Sequence, residues 1–266
     1  MKSEGEAPVS GRHAWGRRPY RHTDYATVRL AMRFLLRAVA WRILVRIESV
    51  AGLENIPPTG AAIICINHIA LVDPIVVLGV VPRVIVPLAK IEVYSYPIVG
   101  ILPRMYGVIP VRRGEFDRRA LDMAQEVLRA GEIVLVAPEG TRSAAMQRGK
   151  EGLAFLATRT QAPIIPVGVD GTVGYPSISP RRWRQGGARI TIGTPFRYRP
   201  SQGRMTRERL RLMTDEAMYR VAELLPPSRR GVYSDLTRAS AETLEPLPRA
   251  WLQGPSPRQR PPANFG

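Results

Sequence analysis

Residues 61–74, AAIICINHIALVDP, decide how this chain is read. Ala61 to Ile66 are apolar without alternation, as in a strand covered on both faces of a parallel sheet. The run ends in Asn67 and His68, and Asp73 follows five residues after the histidine. Two readings meet at this exit. Asp73 before Pro74 suits the start of a helix over DPIVVLGV, which leaves His68 an ordinary turn residue. Alternatively the IALV connection curls back, so that the Asp73 carboxylate accepts a hydrogen bond from one ring nitrogen. The other nitrogen then faces outward as a base.

Outward from this stretch, strand and helix patterns alternate. ILVRIESV from residue 43 alternates and breaks at Pro57, Pro58 and Gly60. Strand patterns recur over 83–89, 107–112, 132–137, 162–169 and 188–193, and amphipathic or apolar helix patterns over 116–131, 150–160 and 205–225. This order predicts an α/β fold with a mostly parallel or mixed central sheet flanked by helices. In front lies DYATVRLAMRFLLRAVAWR, residues 24–42, apolar round most of its circumference, with Arg29, Arg33 and Arg37 at four-residue steps. It is too short and too often interrupted by charge to span a bilayer, which needs about 20 apolar residues. It is expected to be an amphipathic membrane-interface helix, apolar body in the acyl boundary and arginines at the headgroups; packing on the protein's own core is the alternative. Residues 1–23 read as a disordered basic arm holding His13 and His22 as solvated residues, and 227–266, rich in Pro, Arg and Ser, as a disordered tail. One folded domain, 43–226, remains.

Charge narrows the function classes. The 266 residues carry a formal +17, but residues 1–50, 51–180 and 181–266 contribute +6, +1 and +10. The centre is nearly neutral and only 7% of residues are aromatic, whereas a nucleic-acid binder interleaves cations and aromatics in its core. Nucleic acid is therefore not expected, and the basic ends point to an anionic membrane surface. The lone Cys65 excludes an internal disulfide and a multi-cysteine zinc site, and no secretory signal is visible. Cys65 reads as a core residue, since His68 points to the opposite face of the same strand.

In α/β sheets ligands gather where strands exit at their carboxyl ends. Three exits here are chemically loaded: Asn67, His68 and Asp73; Arg112 and Arg113; and PEGTRS, residues 138–143. The last offers a glycine permitting close approach, a threonine hydroxyl and an arginine able to fork onto phosphate, with Lys150 a further cation. With no suitable serine or cysteine beside it, a histidine base implies that the substrate supplies the attacking hydroxyl.

NHIALVD (67–73), GVIPVRR (107–113), PEGTRS (138–143) and APIIPVGV (162–169) together resemble the four ordered blocks of the glycerolipid acyltransferase family, typified by lysophosphatidic acid acyltransferase. The sequence departs from the family pattern at Ala70, Arg112 and Ala137, where a small polar, an acidic and an aromatic residue are usual. The resemblance implies an O-acyltransferase with domain 43–226, whose His68, oriented by Asp73, takes the proton from the hydroxyl of 1-acylglycerol 3-phosphate as it attacks an acyl thioester. Arg113 and Arg142 would bind the acceptor phosphate, with Glu139, Gly140 and Thr141 shaping that pocket. It implies no metal and no cofactor, with acyl-CoA or acyl-carrier protein as co-substrate. It implies a lysophospholipid acceptor and a peripheral place on the cytoplasmic face of the cell membrane. Glycerol 3-phosphate or another lysophospholipid is the alternative acceptor, and a basic membrane- or nucleic-acid-binding protein the non-enzymic alternative.

Overall fold

A computed structural model describes residues 20–40, 45–95, 100–112, 117–200 and 204–252. His13, Trp41, Arg42 and Arg113, with most of the basic arm and the last fourteen residues of the tail, lie outside the described residues.

Among the described residues nine strands form one sheet: β1 (Ile47–Ala51), β2 (Ala62–Ile66), β3 (Ile85–Lys90), β4 (Ile109–Val111), β5 (Ile133–Val136), β6 (Ile164–Asp170), β7 (Ala188–Ile192), β8 (Phe196–Tyr198) and β9 (Leu244–Pro246). The main order is β1-β7-β6-β2-β5-β3-β4. The strands from β6 across to β4 are mutually parallel, and β7 turns antiparallel to β6, carrying β1 with it. β8 pairs antiparallel with β6 and with β9. The sheet is thus mixed with a parallel centre, as the alternating pattern predicts.

β2 is central and buried along its whole length. Ile63 and Cys65 enter one apolar layer with α4 (Arg118–Arg129), α5 (Gly152–Thr160) and α7 (Arg207–Ala222). Ala62, Ile64 and Ile66 enter the other, under α1 (Ala26–Leu35), α2 (Asp73–Val80) and α3 (Ile101–Tyr106). Strand period 2 accounts for this sorting, and burial on both faces for the lack of alternation. The remaining helices are short: α6 (Pro180–Arg184) and α8 (Arg249–Leu252). The strand and helix patterns read from sequence correspond to β1 to β7, α2, α4, α5 and α7, with ends shifted by a few residues. β8, β9 and α6 carry no such pattern.

Three expectations are corrected. First, His22 is not solvated: it is 8% exposed, its N–H donates to Glu126 Oε1 at 2.7 Å, and burial followed by the Arg29 charge pushes its ring down to about 4. Second, two of the three stripe arginines, Arg29 and Arg33, face the protein, while Arg37 is exposed. Arg29 is fully buried, donating to the carbonyls of Tyr106 (2.8 Å), His22 (3.2 Å) and Gly107 (3.1 Å), to the Tyr20 hydroxyl (2.8 Å) and to His22 Nδ1 (2.7 Å). Arg33 donates to the Val81 carbonyl at 2.9 Å. Gly107, at φ +69°, lies under the Tyr25 ring, where a Cβ would sit 2.5 Å from ring carbon. A guanidinium satisfied by carbonyls at helix ends needs no carboxylate partner, so composition gives no hint that it is inside.

Third, residues 227–252 are folded. The Met146 N–H donates to the Arg229 carbonyl (2.9 Å) and the Val232 N–H to the Met146 carbonyl (3.1 Å). Tyr233 hydroxyl accepts from Gly149 N–H (3.1 Å) and donates to Asp215 (2.9 Å), and buried Glu216 holds Thr243 and Ser240. This segment straps the 141–150 loop from outside. Its richness in Pro, Arg and Ser suggested disorder, but its partners lie elsewhere in the chain.

Candidate active site

β2 stands between β5 and β6, so their carboxyl ends converge on His68 from both sides. Asn67 locks the exit: its Nδ2 donates to the Val169 carbonyl (2.9 Å) while its Oδ1 accepts from Val169 N–H (2.8 Å). This extends the β2–β6 ladder by one side chain.

The IALV connection does curl back. Asp73, fully buried, brings Oδ2 to 3.1 Å from His68 Nδ1, and the same oxygen accepts from the N–H groups of Ile69 and Ala70, each at 2.7 Å. Asp73 does not cap α2, whose N-cap is Val72; its carboxylate closes the turn that presents the histidine. A carboxylate only accepts, so Nδ1 carries the hydrogen and Nε2 is left to act as the base. His68 is 18% exposed, enough for a substrate hydroxyl to reach it.

From the other side comes the loop after β5. Buried Glu139 accepts from His68 N–H at Oε1 (3.1 Å) and from Gln147 N–H at Oε2 (2.7 Å), and Ser143 N–H donates to the His68 carbonyl (3.0 Å). PEGTRS therefore grips both backbone polar groups of His68, and Glu139 shapes the pocket by holding backbone. Gly140 sits at φ +64° with the Lys150 Nζ 3.6 Å from where a Cβ would stand, so glycine admits the left-handed turn beside an ammonium. Thr141 and Arg142 are exposed on this loop, and Arg142 makes no hydrogen bond or ion pair among the described residues. Of the second block, Arg112 is exposed beyond β4 and its N–H donates to Asp117 (2.8 Å). Cys65 is fully buried with its thiol pushed up, first by burial and then by Glu139, so it offers no nucleophile. Among the described residues no cluster of His, Cys, Asp and Glu could hold a metal ion.

Burial pushes Glu139 up to about 7, with the Asp73 charge adding to it, against the N–H groups of Gln147 and His68 that pull it down. The folded state then holds this proton more tightly than the unfolded chain, where the value is 4.5. The stability so contributed is full below the unfolded value and is lost as pH rises through the folded one. Relative to Glu139→Gln, which does not titrate, the wild-type chain is expected to lose up to roughly 3 kcal/mol of unfolding free energy between about pH 4.5 and about pH 8. Denaturant titrations of both proteins across that range measure this difference; parallel curves would refute it.

Sequence reasoning missed Thr172. It follows β6, is fully buried, and its hydroxyl donates to Asp73 Oδ1 at 2.6 Å. The strand-exit rule that singled out the ends of β2, β4 and β5 applies equally to the end of β6, where Asp170, Gly171 and Thr172 stand.

A sequence model of the family described as Acyltransferase matches residues 48–170, which include His68, Asp73 and PEGTRS. Residues 48–170 form an acyltransferase-family domain. It is 28% identical over 172 residues to a 1-acyl-sn-glycerol-3-phosphate acyltransferase of Bacillus subtilis, covering 64% of this chain and 84% of that one. It is 33% identical over 154 residues to the protein of the same name from Borreliella burgdorferi, covering 55% of this chain and 60% of that relative. The human alpha form matches at 28% over 177 residues, and the chain spans 61% of its length. The crystal structure of the 1-acyl-sn-glycerophosphate (LPA) acyltransferase PlsC from Thermotoga maritima superposes with a TM-score of 0.54 at 27% identity, covering 78% of this chain and 83% of that one.

Proposed function

We propose that this acyltransferase moves a fatty acyl chain from a thioester, acyl-CoA or acyl-carrier protein, to the free hydroxyl of 1-acylglycerol 3-phosphate, giving phosphatidic acid. The observation that carries this reading is the His68 Nδ1–Asp73 Oδ2 contact of 3.1 Å at a strand exit where no thiol or hydroxyl of the described residues is hydrogen-bonded to the ring. Nε2 takes the acceptor's hydroxyl proton as its oxygen attacks the thioester carbonyl. The tetrahedral adduct collapses, the C–S bond breaks, and the imidazolium returns the proton to the leaving thiolate. Acyl transfer then needs no acyl-enzyme and no metal. The names of the relatives support the acceptor. Incubating the purified chain with a grid of acyl thioesters and lysolipid or glycerol 3-phosphate acceptors, scored by mass, tests it; no phosphatidic acid from any thioester would sink it.

The acceptor phosphate binds, in this reading, to Arg142 and Lys150; Arg113, the other phosphate ligand that the resemblance implies, lies outside the described residues. Arg142 has its donors free and sits on a loop hooked to His68. A charge-assisted hydrogen bond lost from such a site costs about 1.5–3 kcal/mol, so Arg142→Ala is expected to raise the acceptor KM by about 10- to 100-fold with kcat little changed. Steady-state kinetics decide; an unchanged KM removes the residue from the phosphate site.

The protein docks, we further propose, on the cytoplasmic face of the cell membrane by the layer that holds α1, α2 and α3. Leu30, Phe34 and Leu35 of α1, Leu71 and Ile75 around the start of α2, and Ile101, Leu102 and Met105 of α3 are all exposed on the elements of that layer. So large an apolar exposure is unusual on a monomer and marks an interaction surface. No helix among the described residues is long and apolar enough to cross a membrane. Arg29 and Arg33 fasten α1 inward, which leaves Leu30, Phe34 and Leu35 outward.

A further inference from the structure

We infer that Thr172 is a positioning residue of the catalytic pair: its hydroxyl fixes the Asp73 carboxylate and thereby the orientation and basicity of His68. The inference rests on the acyl-transfer reading of His68 given above.

The carboxylate has a divided load. Oδ2 receives three donors, His68 Nδ1 and the N–H groups of Ile69 and Ala70. Oδ1 receives the Thr172 hydroxyl at 2.6 Å, across 99 residues of sequence. Both side chains are fully buried, so no bulk water stands in for the hydroxyl. Without it Oδ1 is a buried, charged oxygen with no donor among the described residues, and the carboxylate loses one of the contacts that fix its plane.

Thr172 is itself held. Its carbonyl accepts from Tyr175 N–H (3.1 Å), and Arg182 ties the loop by donating to the carbonyls of Gly171 (2.8 Å), Val173 (2.9 Å) and Gly186 (2.8 Å). The same guanidinium lies 3.9 Å over the Tyr175 ring, and the Tyr175 hydroxyl donates to Gly186 (3.0 Å). A loop cross-braced in this way delivers a hydroxyl to a fixed point, which a positioning role requires.

The electrostatic consequence has a definite sign. A hydrogen bond to Oδ1 disperses the negative charge that favours protonated His68. Deleting it leaves a more basic carboxylate, so the imidazolium is retained to higher pH. The other charged groups at this point are Glu139, from the loop after β5, and Asp170, which is paired with Arg189 and Arg229. Neither pairing involves the Thr172 hydroxyl, so the variant leaves both intact.

Thr172→Val keeps the side-chain shape and removes the donor; Thr172→Ser keeps the donor. Only three histidines occur in the chain, so imidazole nitrogen NMR with His68→Gln for assignment follows the His68 titration directly. Thr172→Val is expected to raise the His68 midpoint by about 0.5–1 pH unit, to move the acidic limb of kcat/KM with it, and to lower kcat about 5- to 50-fold at unchanged KM. Thr172→Ser is expected to restore all three. A His68 midpoint that stays in place in Thr172→Val, or Ser as impaired as Val, overturns the assignment. The titration is recorded without substrate, so it decides on Thr172 even where acyl transfer fails.

Discussion

His68→Ala is expected to lower acyl transfer by about 10²–10⁴-fold, the range that positioned proton transfer supplies, while vesicle binding stays at the wild-type level. The two halves follow from where the residue stands. His68 is the strand-exit side chain whose Nδ1 is committed to Asp73, and no other imidazole of the described residues is near, since His22 lies buried under Arg29. The backbone of residue 68 is gripped independently of the ring, by Glu139 at the N–H and Ser143 at the carbonyl, so alanine removes the base without releasing the loop. A mass-based assay on phosphatidic acid, run beside co-sedimentation with vesicles, gives both readouts. A variant with more than about a tenth of wild-type kcat would show that the ring is not the base.

The double change Leu30→Asp with Phe34→Asp is expected to lower partitioning onto vesicles by on the order of 10²–10³-fold. These side chains are 58% and 76% exposed on a helix whose arginines bind the protein, so they add nothing to the core and much to a lipid contact. Each transfer of such a side chain from water is worth about 1.5–3 kcal/mol, more than the ~1 kcal/mol of a cation near an anionic headgroup. Neutral vesicles should therefore show nearly the whole loss. Stability should move by less than about 0.5 kcal/mol, because the sites are at the surface. Unchanged partitioning would place the membrane contact elsewhere.

Much of the fold was legible because burial leaves a periodic trace. β2 reads as a central strand since neither face can be polar, and α4 reads as a helix since its pattern is amphipathic and Gly131 ends it. The N-terminal arginines were legible as a stripe but not in direction. Spacing places Arg29 and Arg33 on one face, and only the carbonyls of Tyr106, Gly107 and Val81 decide that this face is the inner one. Residues 227–252 misled for a related reason. A segment rich in Pro, Arg and Ser reads as disordered when considered alone, yet Arg229, Tyr233 and Thr243 are held by Asp170, Asp215 and Glu216. Polar anchoring leaves no local periodicity.

The site divides in the same way. His68, Asp73 and PEGTRS were readable because each lies within a few residues of a strand end, where chain direction alone exposes a side chain. Their roles needed contacts. Glu139 is a backbone clamp because β5 neighbours β2, and Thr172 meets Asp73 because β6 neighbours β2 on the other side. By itself the sequence determined the alternating α/β order, the strand that ends in His68, and the close spacing of His68 and Asp73, all of which are local patterns of polarity and spacing. Strand order, the inward turn of Arg29 and Arg33 and the hydroxyl on Oδ1 were decided by tertiary structure alone, because hydrogen bonds between residues tens to a hundred positions apart leave no mark on either residue's neighbours.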